Sequence, residues 1–224
     1  MLSDALINLV RSRRELAAWA VRFGGGAFAI ATLAVYGRTV RADEHAGFVK
    51  KLKGTAHATV GRLARPLWLG ALIRAGERID TGPDARIQLV MTDGTTITLG
   101  AESSMVVNAV RDGDGGPSVI KLFKGVFLAV TGAVTDKKWN SLMVITDHAV
   151  LGVRGTTVWS EMRPEKLGVL LYEGVSVRVE NALGAVDLSE PLNGTDVPAG
   201  AEPGEPHRWG DKRIAASLAT VAFD

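Results

Sequence analysis

The sequence predicts an all-β protein, a roll of short strands with one short helix near the C-terminus. Three observations predict this fold: apolar residues alternate with polar ones at every second position, glycines separate the alternating segments, and the final segment has helical spacing. Alternation indicates strands with one buried face, because successive side chains lie on opposite sides of a sheet. The pattern suits a β-helix-like roll and a two-sheet sandwich equally, since both bury alternate residues behind short turns.

The clearest strands flank Asp93-Gly94, where Ile87 and Leu89 alternate before the pair and Ile97 and Leu99 after it. Such a pair predicts a β-hairpin, because glycine accepts the positive φ of a tight turn. Further strands are predicted at residues 119–122, 126–130, 142–145, 169–172, 175–179 and 186–188. The glycines between them are interpreted as turns, and Glu173-Gly174 is interpreted as a turn like Asp93-Gly94.

Connections and a helix complete the predicted domain. Polar loops are expected at residues 111–117 and 134–141, and the Pro- and Gly-rich segment 191–207 is expected to be a loop that cannot maintain a ladder of hydrogen bonds. Between Trp209 and Phe223, Ile214, Leu218 and Val221 fall at helical spacing, with Asp211 as the N-terminal cap. We expect this amphipathic helix to close over the β core.

Residues 1–42 are predicted to be a signal peptide. An Arg-rich segment precedes an apolar stretch at residues 23–37, which is shorter than the roughly 20 residues of a membrane-spanning helix. Small side chains before Ala42 predict cleavage after that residue. The run Ser12 to Ala17 resembles the twin-arginine export signature. A general secretory leader and an uncleaved short anchor remain alternatives, and the expected location is periplasmic or otherwise exported.

Charge and cysteine content exclude several function classes. Of 26 basic and 24 acidic residues, six Arg and two acids lie within residues 1–42, which leaves 20 basic and 22 acidic residues in the remainder. Nucleic-acid binding requires a basic stripe on the folded part, so no nucleic-acid partner is expected. The absence of cysteine excludes a disulfide framework, a thiolate metal site and a catalytic thiol.

Three ordered runs, at residues 76–95, 124–132 and 145–177, resemble the FecR domain family. This family is the periplasmic part of iron-dicitrate type signalling regulators and of stand-alone exported proteins. The motif residues are Gly82, Asp93, Gly94, Gly125, Gly152, Arg154, Gly155, Thr156 and Gly174. The resemblance implies three parts: a signal peptide at 1–42, a FecR-like β domain at 43–200, and a C-terminal loop and helix at 201–224 that pack on the domain.

The resemblance also bears on function. Signalling members carry an anti-sigma region before a membrane helix, whereas about 22 residues precede the apolar stretch here. The implied function is therefore an exported, non-catalytic binding or scaffolding module of the cell envelope, with a membrane-retained signalling regulator as the alternative. The expected partner is an envelope protein or glycan, and membrane contact is expected only through an uncleaved leader.

Individual side chains support a non-enzymatic interpretation. The four histidines lack ligand spacing, Asp93 and Glu173 are interpreted as turn residues rather than a catalytic pair, and Ser103 has no nucleophile motif. No cofactor or metal is expected. Arg154, between two glycines, is predicted to bind backbone carbonyls, with a partner's carboxylate as the alternative.

The tryptophans are the remaining candidates. Trp139, in a polar connection, is the possible partner contact, because aromatic side chains are enriched where proteins bind each other. Most of the other tryptophans after the leader are expected to pack in the core or under the terminal helix: Trp68, Trp159 and Trp209.

Overall fold

The computed structural model describes residues 45–109, 117–131 and 141–223. The predicted all-β fold with a short C-terminal helix is confirmed. The leader, Trp139 and most of the two polar loops lie outside the described residues, so their predictions stay untested. Within the described ranges, no helix has the length and apolarity needed to span a bilayer.

The strands and the helix follow in chain order. They are β1 (His45–Lys53), β2 (Ala56–Val60), β3 (Leu63–Pro66), β4 (Leu72–Arg74), β5 (Arg78–Thr81), β6 (Arg86–Met91), β7 (Thr96–Leu99), β8 (Ser104–Ala109), β9 (Ser118–Val130), β10 (Ser141–Ile145), β11 (Val150–Met162), β12 (Lys166–Glu180), β13 (Ala185–Leu188), β14 (Asn193–Pro198), β15 (His207–Arg208) and α1 (Asp211–Ala219).

The described strands form one hydrogen-bonded sheet, whose main path runs β15-β14-β12-β11-β10-β9-β7-β6-β1-β4. Three long strands each belong to two parts of it. Residues 118–124 of β9 pair with β8 and β10, whereas residues 125–130 pair with β7 and β11. Strand β11 divides its pairing in the same way between β10 and β9, and β12 between β14 and β13. The described strands therefore form one connected, open sheet in which long bent strands join the two parts.

One large apolar cluster lies between the two parts of the sheet. Ile79 and Val153 reach it from one part of the sheet, and Leu89, Leu99 and Phe127 reach it from the other. All five side chains are buried, as the alternation predicts. Removing this apolar area from water is the main stabilising contribution to the fold.

The hairpin at Asp93-Gly94 is confirmed. The Met91 N–H donates to the Thr95 carbonyl at 2.8 Å, and the Asp93 carboxylate accepts from the Thr95 N–H at 2.8 Å. The predicted turn at Glu173-Gly174 is wrong. Glu173 pairs with Thr157 inside the continuous ladder between β11 and β12, because glycine here bends a strand instead of ending it.

The predicted loop at residues 191–207 is wrong in part, because it contains β14 and β15. Strand β14 pairs with β12 from Leu170↔Gly194 to Lys166↔Pro198. The ladder is possible because Pro198 is the last residue of the strand, where a missing N–H interrupts least.

The C-terminal helix α1 is confirmed, but the predicted cap is wrong. Gly210 is the N-cap, it makes no side-chain cap, and Asp211 is the first helical residue. Ile214 and Val221 bury their side chains against Trp159 and Trp209 in a second apolar cluster. The helix therefore closes over the outer side of the sheet, as its spacing predicts.

An ion pair fastens α1 to the sheet. The Arg213 guanidinium donates to Asp196 of β14 at 2.6 Å, and Lys166 Nζ lies 3.5 Å from the same carboxylate oxygen. Partial burial alone would raise the pKa of Asp196, but the Arg213 hydrogen bond and the charges of Arg213 and Lys166 outweigh it. The pKa of Asp196 is therefore held below its ordinary value of 3.8.

We expect acid to loosen this contact. Because the pKa is depressed in the folded protein, the stabilisation is complete above the ordinary value and is lost as the pH falls through the folded-state pKa. Urea midpoints followed by tryptophan fluorescence should fall more steeply between pH 7 and pH 2 in the native protein than in Asp196→Asn, because the variant has no carboxylate to protonate at this position. If the midpoints of the native protein and Asp196→Asn fall in parallel below pH 5, the Asp196 ion pair does not contribute to the stability of the fold.

Candidate binding surface at the glycine bends

Five motif-region residues come together where β11 and β12 bend, and we call this group the bend surface. It consists of Arg154, Gly155, Glu173, Gly174 and Val175. Gly155 and Gly174 both have positive φ, +57° and +117°. The two strands stay paired on both sides of the bend. The surface is thus part of a rigid ladder rather than a loop.

The Thr156 hydroxyl organises the bend. It donates to the Arg154 carbonyl at 2.7 Å and accepts from the Val175 N–H at 3.2 Å. Thr131, at the end of β9, closes the other side, since its hydroxyl accepts the Thr156 N–H at 2.8 Å. These two buried hydroxyls satisfy backbone groups that a bent ladder would otherwise leave unpaired.

Gly174 allows the two backbones to approach. A Cβ at this position would lie 2.6 Å from Thr156 Cα, closer than packed atoms tolerate. Gly125 in β9 repeats the arrangement, because a Cβ there would lie 2.5 Å from Ser103 Cα. Ser103 acts as Thr156 does, with its hydroxyl accepting the Val126 N–H at 2.9 Å.

The outer side of the bend surface is exposed. Arg154 and Glu173 are exposed, and Val175 retains 59% of its accessible surface. Arg154 does not take the predicted role of binding carbonyls: among the residues that the structure describes, its side chain has no hydrogen-bond partner. Thr156 fulfils that role instead. The guanidinium therefore remains available to a carboxylate or another planar acceptor.

The remaining motif residues organise other turns. Gly82 packs against Thr55, and its N–H donates to the Thr55 carbonyl at 2.9 Å. Gly152 lies in the ladder between β10 and β12. Asp93 accepts a short hydrogen bond from Ser118, which joins the β6–β7 turn to β9. Structure thus brings Arg154, Gly155, Thr156 and Gly174 together and leaves Gly82, Asp93, Gly94, Gly125 and Gly152 at separate positions.

The two acids of the motif regions, Asp93 and Glu173, have separate hydrogen-bond partners. The Glu173 carboxylate accepts from the Thr157 hydroxyl at 3.2 Å, while Asp93 belongs to the distant β6–β7 turn with its own partners. Over residues 45–109, 117–131 and 141–223, no three His, Asp or Glu side chains are grouped to hold a metal ion. An exposed cation, an anion and an apolar side chain on a fixed ladder can bind a partner.

Sequence reasoning missed an exposed apolar group near the start of the fold. Trp68 is the exception to the expectation that most tryptophans pack in the core or under the helix, because its side chain is 57% exposed, and Leu69 beside it is 68% exposed. Trp159 and Trp209 do pack under α1, as expected. The signal for the difference was present in the Trp68-Leu69-Gly70 run, since glycine after two large apolar residues indicates an exposed turn.

A connected sheet organised by glycine bends, with one short C-terminal helix, defines the class of this chain as all-β. The family model described as FecR protein matches residues 77–176. Residues 77–176 therefore match the FecR domain, and the match falls within the segment where the motifs predicted it.

Comparison with solved structures supports the fold. Two crystal structures described as "a putative anti-sigma factor from Parabacteroides distasonis ATCC 8503" each align with a TM-score of 0.52 at 18% identity. The alignments cover 63% of this chain and 64% and 63% of those chains, so less than two thirds of their length is represented. At this identity the likeness concerns the fold alone. No curated protein matches the sequence.

Proposed function

We propose that this protein is an exported, non-catalytic FecR-domain module that binds an envelope protein or glycan through the bend surface. The observation that carries the proposal is the exposed Arg154 and Val175 on a backbone fixed by Thr156. A preorganised surface loses little conformational entropy on binding, which favours affinity. A binding role is compatible with the FecR domain, because binding a partner requires no reactive group.

Envelope extracts provide the test. Tagged full-length protein should retain a specific protein or glycan, and Arg154→Glu should reduce its recovery about tenfold or more, because central Arg contacts often dominate binding energy. Val175→Asp should have a similar effect. Quantitative mass spectrometry and glycan-array binding measure the two partner classes.

Leu183→Asp is the matched control, because Leu183 is also an exposed apolar residue, at 62%, in the β12–β13 connection. It should leave recovery unchanged. Equal losses in Leu183→Asp and Val175→Asp, or a wild-type extract without any protein or glycan above background, would contradict the bend surface as the binding site.

A membrane-retained signalling regulator is the second candidate. Likeness of the fold to the crystal structures described as an anti-sigma factor favours it. Mass spectrometry of the N-terminus of the protein recovered from cells distinguishes the two: the exported module should begin near Asp43, whereas the retained regulator should keep its leader.

A further inference from the structure

A second exposed surface lies among the first described strands, whereas α1 is the last element of the chain. We call this surface the β1–β4 patch. Its members are Phe48, Lys50, Trp68, Leu69, Leu72 and Arg74. Phe48 of β1 and Leu72 of β4 are direct partners in the ladder. Because both are exposed while Val49 and Ile73 are buried, the two side chains stand together on the outer side.

Trp68 and Leu69 extend this patch at a tight turn. The Ala71 N–H donates to the Trp68 carbonyl at 2.9 Å, and the Gly70 N–H donates to the Val49 carbonyl at 2.8 Å. These bonds hold the turn against β1. The two large side chains are therefore presented to solvent on a backbone that hydrogen bonds hold in place.

An internal ion pair stabilises the support beneath the patch. The Glu77 carboxylate, 2% exposed, accepts from Arg65 at 2.7 Å and from the Arg74 N–H at 2.9 Å. Arg65 also donates to the Leu72 carbonyl at 2.6 Å. Arg65 thus links β3 to β4. The backbone of Leu72 is held by this hydrogen bond, and its side chain is exposed on a fixed strand.

Charge is strongly segregated between this part of the chain and the rest. Residues 45–76 contain six basic and no acidic side chains: Lys50, Lys51, Lys53, Arg62, Arg65 and Arg74. Residues 77–224 contain 14 Lys and Arg against 20 Asp and Glu. The excess of positive charge in residues 45–76 favours the approach of the β1–β4 patch to a negatively charged surface.

We propose that the β1–β4 patch docks on an anionic lipid bilayer. Trp and Leu side chains beside Lys and Arg are the combination that binds a membrane interface, with the rings and aliphatic groups among the headgroups and the cations on lipid phosphates. Apolar insertion and phosphate attraction act at the same place here, since Lys50 and Arg74 flank Phe48 and Leu72.

A fluorescent label at a single site tests the proposal in the full chain, which has no cysteine of its own. Leu69→Cys carrying a polarity-sensitive fluorophore should shift to the blue on vesicles of phosphatidylglycerol and phosphatidylcholine, and much less on phosphatidylcholine alone. Lys50→Gln in this background should weaken the apparent vesicle affinity about fivefold. Arg74→Gln should have a smaller effect, because the Arg74 guanidinium also lies 3.8 Å from the Glu77 carboxylate. Added salt should also reduce the shift.

Leu183→Cys with the same label is the control, because any binding through residues before His45 affects both labelled proteins. Its emission should stay unchanged. Equal shifts at both sites, no shift at residue 69, or a shift that rises with protein concentration without vesicles would overturn lipid docking, and the last result would indicate a second copy as the occupant. The vesicle assay contains no envelope protein or glycan, so lipid docking can be supported or overturned whatever the outcome of partner recovery through Arg154.

Discussion

Replacing Gly174 by alanine is expected to destabilise the fold by about 3 kcal/mol or more. The residue has φ of +117°, which costs an L-residue about 1–3 kcal/mol. The added Cβ would also lie 2.6 Å from Thr156 Cα, and such overpacking costs about another 1–3 kcal/mol. Urea denaturation of the full-length protein measures the loss as a lower midpoint with little change in slope.

Gly94→Ala separates the two contributions. Gly94 also has positive φ, +84°, but nothing lies within 4 Å of a Cβ placed there. This variant should lose only the conformational part, about 1–2 kcal/mol. If both variants unfold at the same urea concentration, the close approach of β11 and β12 at Gly174 does not contribute to stability.

Local patterns predicted much of this fold because they report on local geometry. Alternation at Ile87 and Leu89 determines which side of a strand is buried, and Asp93-Gly94 closes a hairpin between neighbours in sequence. The helical spacing of Ile214 and Leu218 likewise identified the side of α1 that packs on the sheet. Each of these features depends on residues a few positions apart.

Long strands were not predictable in the same way. Gly125 and Gly174 resemble turn residues locally, but each allows one strand to bend and continue into another part of the sheet. Whether a glycine ends a strand or bends it depends on the partner strand, which supplies Ser103 in one case and Thr156 in the other. These hydroxyl contacts join residues about 20 positions apart, so periodicity does not reveal them.

The candidate surfaces were also predictable from the sequence only in part. The glycines on either side of Arg154 indicated the position of the bend. They did not indicate that the Thr156 hydroxyl would bind the Arg154 carbonyl while the Arg154 side chain stays exposed. The β1–β4 patch combines Phe48 with Leu72 through ladder pairing, which depends on the fold. Its charge pattern, in contrast, could be read directly from the sequence.

Replacing Trp209 by alanine should destabilise the protein by about 3–5 kcal/mol, the usual cost of removing a buried Trp side chain. Trp209 is 1% exposed, its ring meets Trp159 edge to face at 5.9 Å, and Arg213 lies 3.3 Å from its centroid. Gly194 of β14, with no side chain, leaves room for this ring against the sheet, because a Cβ there would overlap the indole. Thermal denaturation should show a midpoint lower by about 6–20 °C for a protein of this size.

Trp68→Ala is the natural control, because its exposed ring should contribute within about 0.5 kcal/mol. Trp209→Phe refines the test: the Trp209 Nε1 is buried without a hydrogen-bond partner among the described residues, so phenylalanine removes an unpaired N–H while keeping most of the apolar contact. It should therefore cost less than half as much as alanine. Equal midpoints for Trp209→Ala and Trp68→Ala would show that α1 is not held to the sheet through this ring.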